Sequence, residues 1–578
     1  MKRLIKLIRK QWLGYLFGIL TLLTSIVLDM YNPYFVGEII DRSIIGGELG
    51  YLRIALLALA GITLGRAVLC YTKELSFDIA SSKVIVDLRK KMFDHIQKLS
   101  FSFFDENNTG ELMSRIKEDT ENIMNAICYG IMLFLEQIIY FIIATVILLT
   151  INWKLALISL VTMPVIEYVV FRLERSVGKT YEKISDQRAV LNTTAQQNIA
   201  GVRVVKAFGR EKYEIQKFLR QNEENYKINY EQAQAMARYN PPIEFLSNLV
   251  LVLVVSVGGY YVIGGDMSLG TLVAFSNYIY MLIWPMRMMG WLTNVLAQCM
   301  ASVKKIDKLF EEEPSIRNCD APIKPERLEG HVEFRNVSFE YAGTNVLEKI
   351  DIDAKPGSTI AIMGMTGAGK SSLVNLIGRY YDCSSGQVMI DGVDVREMDL
   401  TVLRKNVSAV MQDTFLFSDT IEDNIKFGAG EVPEEVFKAA CSDAMVDEFV
   451  SQMPEGYQTV IGERGMGLSG GQKQRISIAR ALVRDARVLI MDDSTSALDM
   501  ETEYAIQKAM EKRKGITCFI IAHRVSAVKN ADEILYFQDG RIAERGTHSE
   551  LLRLRGRYYD TYCEQYRDYV EALEKEVV

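Results

Sequence analysis

The chain has 578 residues, 49% of them apolar, with 73 acidic against 66 basic side chains and a net charge of −7. That length exceeds what one hydrophobic core serves, so two or more domains are expected, and the acidic balance offers no basic face for nucleic acid. Eight cysteines stand singly from Cys70 to Cys563 and only four histidines are present, which suits reduced thiols and argues against a disulfide framework, a zinc site or a His-rich centre.

In chain order, the first eleven residues interleave Leu4, Ile5, Leu7 and Ile8 with Lys2, Arg3, Lys6, Arg9 and Lys10, the pattern of a short helix lying on an anionic membrane face. A secretory signal is disfavoured, because the apolar run from Trp12 to Tyr34 is too long for one and no small-residue cleavage site follows. Further apolar runs cover 52–73, 130–151, 154–173, 243–264 and 270–297. At about 1.5 Å per residue each spans a hydrocarbon core of roughly 30 Å, so residues 1–310 are expected to form a helical membrane domain with six spans. Lys and Arg gather at the amino terminus and at Lys83, Arg89, Lys90, Lys91, Arg172, Arg175, Lys304, Lys305 and Lys308, whereas the opposite loops carry little beyond Arg42, Arg53 and Lys154. The positive-inside rule then places both termini in the cytosol, on the inner side of a cytoplasmic membrane. Segments 74–129 and 174–242 are polar but helical in pattern and read as long cytosolic continuations of the spans.

Residues 311–330, with Glu311-Glu-Glu-Pro-Ser315 and Ala321-Pro-Ile-Lys-Pro325, form an acidic, proline-bearing linker. From 331 to 578, strand-like runs such as Val332–Val337 and Val488–Met491 alternate with helical stretches, the pattern of an α/β domain. Its centre is Gly364-Met-Thr-Gly-Ala-Gly-Lys-Ser-Ser372, between the apolar run Thr359–Met363 and the helical run Leu373–Ile377. Strand, glycine turn and helix in that order make a phosphate-binding loop: Gly364, Gly367 and Gly369 free the backbone to approach a polyphosphate, Lys370 reaches its β and γ groups, and Ser371 ligates Mg²⁺. Asp492, closing the apolar run Val488–Met491, is placed to hold the same metal ion. Leu468-Ser-Gly-Gly-Gln472 opens a second helix and offers another phosphate-binding N-terminus.

With LSGGQ upstream of the Asp492 strand and the Lys370 loop far upstream of both, the chain resembles the ATP-binding cassette family. Six spans followed by one such domain resemble a half-transporter of its exporter branch. The resemblance implies ATP and Mg²⁺ as cofactors, with Thr366 and Ser372 completing the phosphate loop, Tyr341 stacking on adenine, and Gln412 contacting nucleotide and metal. It also implies that His523 touches the γ-phosphate, and that Ser469, Gly470, Gly471, Gln472 and Asp499 contact the nucleotide held by a partner subunit. Phe103–Arg115 and Gly201–Glu211 resemble the segments carrying the coupling helices, expected near 105–112 and 207–214.

One position departs from the family pattern. After Asp492 the family's catalytic glutamate is replaced by Asp493, one methylene shorter, and a displacement of roughly an ångström costs about 10²-fold in rate. ATP binding with slow hydrolysis at this chain's own site is therefore expected, with Asp493, His523 and Gln412 as its catalytic set. A weak site beside an intact signature resembles one half of a heterodimeric exporter. A homodimer with two slow sites, and a non-transporting ATP-gated regulator or channel, stand as alternatives. In the sixth span Tyr278, Tyr280, Met281, Trp284, Met286, Met288, Met289 and Trp291 offer adaptable apolar surface. Glu136, Glu244 and Arg287, costly inside a membrane, join Trp284, Met288 and Trp291 as substrate-pathway candidates for a hydrophobic or amphiphilic cargo.

Overall fold

The computed structural model describes residues 1–513 and 515–566, with backbone alone at 179, 181, 182, 286, 287, 289 and 290. The described chain forms two compact units, residues 1–97 with 108–312, and residues 98–107 with 313–578. Ten residues from the amino-terminal half thus belong to the carboxy-terminal unit.

The first unit is helical: α1 (Lys2–Lys10), α2 (Trp12–Glu38), α3 (Leu49–Ile96), and then, after α4 (Phe101–Glu106) of the other unit, α5 (Thr109–Ser114), α6 (Thr120–Asn125), α7 (Ile131–Ile151), α8 (Trp153–Ala200), α9 (Val202–Ala207), α10 (Glu211–Ile263) and α11 (Leu269–Glu311). π-Helical turns at Arg115–Asp119 and Ala126–Gly130 join α5, α6 and α7 into one rod. Among the described residues, Trp12–Ile45, Leu49–Ile96, Thr109–Ile151, Trp153–Ala200 and Glu211–Ile263 are long and apolar enough to cross a membrane. The sixth expected span, 270–297, falls on α11, where the described apolar stretch is Leu269–Pro285. Leu22 and Ile26 of α2, Leu148 of α7, Leu155 of α8, Val254 of α10 and Phe275 and Ile279 of α11 meet in one core.

The windows expected to carry the coupling helices hold short helices and turns. Residues 105–112 straddle a break at Asn107–Asn108, where the Asn108 side chain caps α5 by accepting from the Gly110 N–H at 2.8 Å. The short helices there are α4, 101–106, α5, 109–114, and α9, 202–207, and Gly209 turns the chain into α10 at φ +59°. The cap at Asn108 and the glycine turn decide these boundaries, and both lie inside the windows assigned to helix.

The second unit holds two sheets. Strands β1 (Val332–Tyr341), β2 (Thr344–Ala354), β4 (Ser385–Ile390) and β5 (Val393–Asp394) form an antiparallel sheet in the order β2-β1-β4-β5. Strands β3 (Thr359–Gly364), β6 (Val407–Val410), β7 (Val488–Asp492), β8 (Thr517–Ile521), β9 (Glu533–Gln538) and β10 (Arg541–Gly546) run in the order β10-β9-β3-β8-β7-β6, parallel except for β10. β7 is buried at every residue, as a strand covered on both faces must be. Helices α12 (Lys370–Ile377), α13 (Leu400–Asn406), α14 (Ile421–Lys426), α15 (Glu434–Asp443), α16 (Asp447–Val450), α17 (Gly470–Leu482), α18 (Met500–Lys512), α19 (Val525–Val528), α20 (His548–Leu554) and α21 (Arg557–Gln565) surround them.

Within the helical unit, α2 and α11 approach backbone to backbone. A methyl built on Gly270 would fall 2.0 Å from the Gly37 carbonyl oxygen and 2.6 Å from the Asp41 carboxylate, which itself accepts from the Gly270 N–H at 2.8 Å. Backbone cannot yield as a flexible side chain does, so any side chain at 270 forces the crossing apart. Gly270→Leu is expected to lower unfolding stability by about 2 kcal/mol or more. Thermal unfolding of the purified protein in detergent would check this, and a melting curve unchanged from wild type would refute the close crossing.

Candidate functional site

The parallel sheet order β3-β8-β7-β6 sends four strand ends to one edge, and each ends in a residue singled out from the sequence. β3 runs into Gly364, β7 ends in Asp492, His523 follows β8 by two residues, and Gln412 follows β6 by two. In open parallel sheets ligands bind outside these carboxyl ends.

The loop after β3 is shaped by its glycines. Gly364 lies at φ +138° with a would-be Cβ 2.2 Å from the Phe537 carbonyl oxygen, and Gly369 at φ +91° with one 2.8 Å from the Val346 carbonyl oxygen. Both positions exclude a side chain by conformation and by space. Gly367, at φ +83°, faces open space beside exposed Thr366, and α12 starts at Lys370 with Ser371 and Ser372 in its first turn. Buried Lys370 donates from Nζ to the carbonyls of Gly364 and Met365, each at 2.8 Å, leaving one ammonium N–H for a phosphate oxygen. Burial pulls its pKa down, and the charges of Asp492 and Asp493 offset part of that. Asp492 is buried too, which pushes its carboxyl up; the Ser371 hydroxyl, hydrogen-bonded to it, and Lys370 act in the other direction. A glycine cradle, an ammonium and a Ser–Asp oxygen pair suit a magnesium-bound polyphosphate by donor chemistry and by the space the glycines leave.

Asp493 takes φ +45°, a conformation aspartate adopts more readily than most residues. Its backbone is held on both sides: the N–H donates to the Ile521 carbonyl at 3.0 Å, and the carbonyl accepts from the Ser496 hydroxyl at 3.0 Å and from Gln474 Nε2 at 3.4 Å. Buried Gln474 of α17 also accepts from the Ala497 N–H at 3.0 Å. The start of α17 therefore sits against the loop 496–499. A methyl on Gly471 would meet the Ala497 carbonyl oxygen at 3.1 Å, tighter than an ordinary contact, whereas one on Gly470 would meet the Ala497 Cβ at an ordinary 3.4 Å, so of the two it is Gly471 that eases this approach. Ser469 and Gln472 form a capping box, and Asp499 caps α18 through the Thr502 N–H and hydroxyl, both at 2.9 Å.

Several residues that no motif flagged hold this edge together. Arg524 donates to the carbonyls of Ser496 at 3.3 Å and Leu498 at 3.4 Å and pairs with buried Glu503 at 3.7 Å. Arg480 of α17 donates to the Phe415 carbonyl at 2.8 Å and the Asn424 carbonyl at 2.7 Å, fastening the loop after Gln412; burial pushes its pKa down to about 10. Gln565 of α21 clasps the backbone around His523, accepting from the Val525 N–H at 2.8 Å and donating to the His523 carbonyl at 2.6 Å. An arginine or glutamine inside a helical run carries no spacing signal, so only the fold reveals these roles.

Tyr341 closes β1 with its ring half exposed and edge-on to Tyr381 at 6.0 Å. Asp105 of α4 accepts from the Tyr381 hydroxyl at 2.6 Å and hydrogen-bonds Tyr341 as well. Burial and this carboxylate raise both phenols above their ordinary range. Phe101 stacks flat on Tyr380 at 4.7 Å, so α4 is joined to the α/β unit by aromatic and polar contacts together.

Of the pathway candidates, Glu136 and Trp284 line one cavity of the helical unit. Glu244 is on the exposed side of α10, and Trp291 and Met288 lie further along α11, outside that lining. The side chains of Arg287, Met286 and Met289 lie outside the described residues.

Comparison with known proteins places both halves. The family described as ABC transporter transmembrane region matches residues 15–286, and the ABC transporter family matches 347–496. Over 96% of this chain and 95% of its own length, an uncharacterized ABC transporter ATP-binding protein, YknU of Bacillus subtilis, is 36% identical. An ATP-dependent lipid A-core flippase of Syntrophus aciditrophicus is 34% identical over 98% of this chain and 94% of its own length, and the putative multidrug export protein YgaD of Bacillus subtilis 35% over 96% and 97%. A solved bacterial Atm1-family ABC exporter with ATP bound superposes with a TM-score of 0.82 at 27% identity, over 96% of this chain and 98% of that one. A helical membrane unit followed by an α/β unit that carries a phosphate-binding loop agrees with these matches, and the chain belongs to the ABC transporter family as a membrane exporter that couples transport to ATP hydrolysis.

Proposed function

We propose that this chain is one half of a dimeric exporter whose own nucleotide site is slow, paired with a different half-transporter that carries the faster site. Asp493 carries the reading. Its backbone is anchored to Ile521 and Ser496, so the chain cannot advance to make up the missing methylene, and the carboxylate stays roughly an ångström short of where a glutamate would reach. The opposite equipment is whole: the capped Ser469 helix start and Gly471 suit a nucleotide presented by the partner.

In this reading the backbone N–H groups around Gly367 and Gly369 and the Lys370 ammonium bind the β and γ phosphates, and Tyr341 offers its ring to adenine. Ser371, Gln412 and Asp492 hold Mg²⁺. Asp493 and His523 orient the attacking water and the γ-phosphate, with His523 kept at the strand end by Gln565. MgATP bound between two subunits supplies the free energy that favours the closed pair, and it does so only through different affinities for open and closed states. The cargo is a hydrophobic or amphiphilic small molecule, in keeping with relatives named for lipid A-core, multidrug and oligopeptide transport. The basic flanks of the spans favour a bacterial cytoplasmic membrane with the α/β unit in the cytosol.

Lys370→Ala is expected to weaken ATP binding by about tenfold or more, since it removes a charge-assisted contact. Unchanged affinity in a fluorescent-nucleotide titration would remove the site assignment. For topology, Glu48→Cys or Asp266→Cys in a background without native cysteines should react with an impermeant maleimide from outside intact cells, and Arg210→Cys should not. Labelling at 210 would invert the orientation.

The asymmetry itself is read by steady-state ATPase on the purified complex. Removing the partner's catalytic carboxylate should abolish nearly all turnover, whereas Asp493→Asn should cost only a few-fold, and Asp493→Glu should raise basal hydrolysis. Full substrate-stimulated activity from this chain alone, lost by about 10²-fold or more in Asp493→Asn, would make the aspartate a competent base and sink the proposal.

A further inference from the structure

The helical unit contains a cavity of about 530 Å³, within the range of small-molecule sites, walled by α2, α3, α7 and α11. Charged side chains inside a bundle are costly and tend to mark what passes through it. Four are grouped here, as two pairs. Asp29 of α2 meets Arg66 of α3 at 2.6 Å, and Lys73 of α3 meets Glu136 of α7 at 3.0 Å.

The two pairs are finished differently. Asp29, 9% exposed, has both oxygens engaged, Oδ1 by Arg66 and by Asn32 at 3.1 Å, and Oδ2 by the Tyr140 hydroxyl at 2.8 Å. Its charge is spent within the protein. Arg66 is 39% exposed, and one of its five N–H donors goes to Asp29 among the described residues, so its guanidinium still offers a forked edge to the cavity it lines. In the second pair the roles reverse. Lys73 is 5% exposed and lies behind the lining, while Glu136, at 16%, lines the cavity with Oε2 on Lys73 and Oε1 without a described partner. The cavity thus shows one cationic edge on α3 and one carboxylate oxygen on α7, and the four formal charges sum to zero. Tyr280, Met281 and Trp284 of α11 add aromatic and thioether surface to the same lining.

From this arrangement, and resting on the exporter reading above, we infer that the cargo is a zwitterionic amphiphile, whose anionic group is taken by Arg66, whose cationic group is taken by Glu136 and whose apolar part lies against Tyr280 and Trp284. A ligand of single charge would cover either the remaining donors of Arg66 or the second oxygen of Glu136 without a hydrogen bond in return, and that desolvation opposes its apolar contacts. A neutral amphiphile would strand both.

The test is binding without nucleotide, in an uncharged maltoside detergent, read by fluorescence of a variant keeping Trp284 as its sole tryptophan. Four probes share a twelve-carbon chain and differ in headgroup: phosphocholine, trimethylammonium, phosphate and a neutral glycol. Phosphocholine is expected to bind about tenfold or more tighter than the other three. Glu136→Gln should erase the discrimination against the phosphate probe, and Arg66→Gln that against the trimethylammonium probe. Because Glu136→Gln strands Lys73, the double variant Lys73→Met with Glu136→Leu is the control, and it should shift preference as Glu136→Gln does. Equal affinities across the four headgroups, or the same preference in folded charge variants, would overturn the inference and leave the pairs as helix-packing contacts alone. Two zwitterions of different origin, a lysophosphatidylethanolamine and an apolar pentapeptide with free ends, then identify the source; failure of both to bind also overturns it. ATP-driven uptake into proteoliposomes is scored separately. Uptake with no headgroup preference removes this inference only, and preference without uptake removes only the exporter reading.

Discussion

The nucleotide half depends on where four parallel strands stop. Because β3, β8, β7 and β6 are neighbours in one sheet, the ends that bear Gly364, His523, Asp492 and Gln412 fall along a single edge, and no long-range side-chain contact is needed to gather them. The burial that makes β7 a central strand also makes Asp492 expensive to ionise, which draws Lys370, Ser371 and a divalent cation toward it. Fold and chemistry share one cause here: a strand apolar enough to be central delivers its carboxylate into a poorly solvated place.

Around that edge a second set of contacts turns separate loops into one piece. Arg480 holds the loop after Gln412, Gln474 holds the backbone at Asp493 and Ala497, Arg524 holds the 496–498 carbonyls, and Gln565 holds the turn at His523. Two of the four clasps come from α17, the helix that also carries Ser469. A shift at one loop is therefore passed to the start of the helix that Ser469 caps, through hydrogen bonds to backbone.

Much of this was legible from residues alone, and the reasons are specific. Glycine at 364 and 369 and an unbroken apolar run into Asp492 leave a local trace, because conformation and burial act on consecutive residues. Departures at Asp493 are equally visible, being a single substitution in a fixed place. What stayed hidden is tertiary. Asp29 and Arg66 read as isolated blemishes in apolar runs, and nothing in their spacing says that they meet or that Lys73 backs Glu136. The bounds of the short helices were hidden as well, because the cap at Asn108 and the positive-φ turn at Gly209 depend on local backbone geometry.

The assignment of residues 98–107 to the α/β unit has a mechanical meaning. The backbone crosses between the two units three times, after Gln97, after Asn107 and after Glu312, and the Ser100 hydroxyl accepts from the Ile316 N–H at 3.0 Å, tying the first crossing to the third. Two of these crossings flank α4, so that short helix is a loop of chain lent by one unit to the other and returned to α5. Tyr341 and Tyr381 share the Asp105 carboxylate of that same helix, so the lent segment is fastened to the end of β1 and not merely tethered at its two ends.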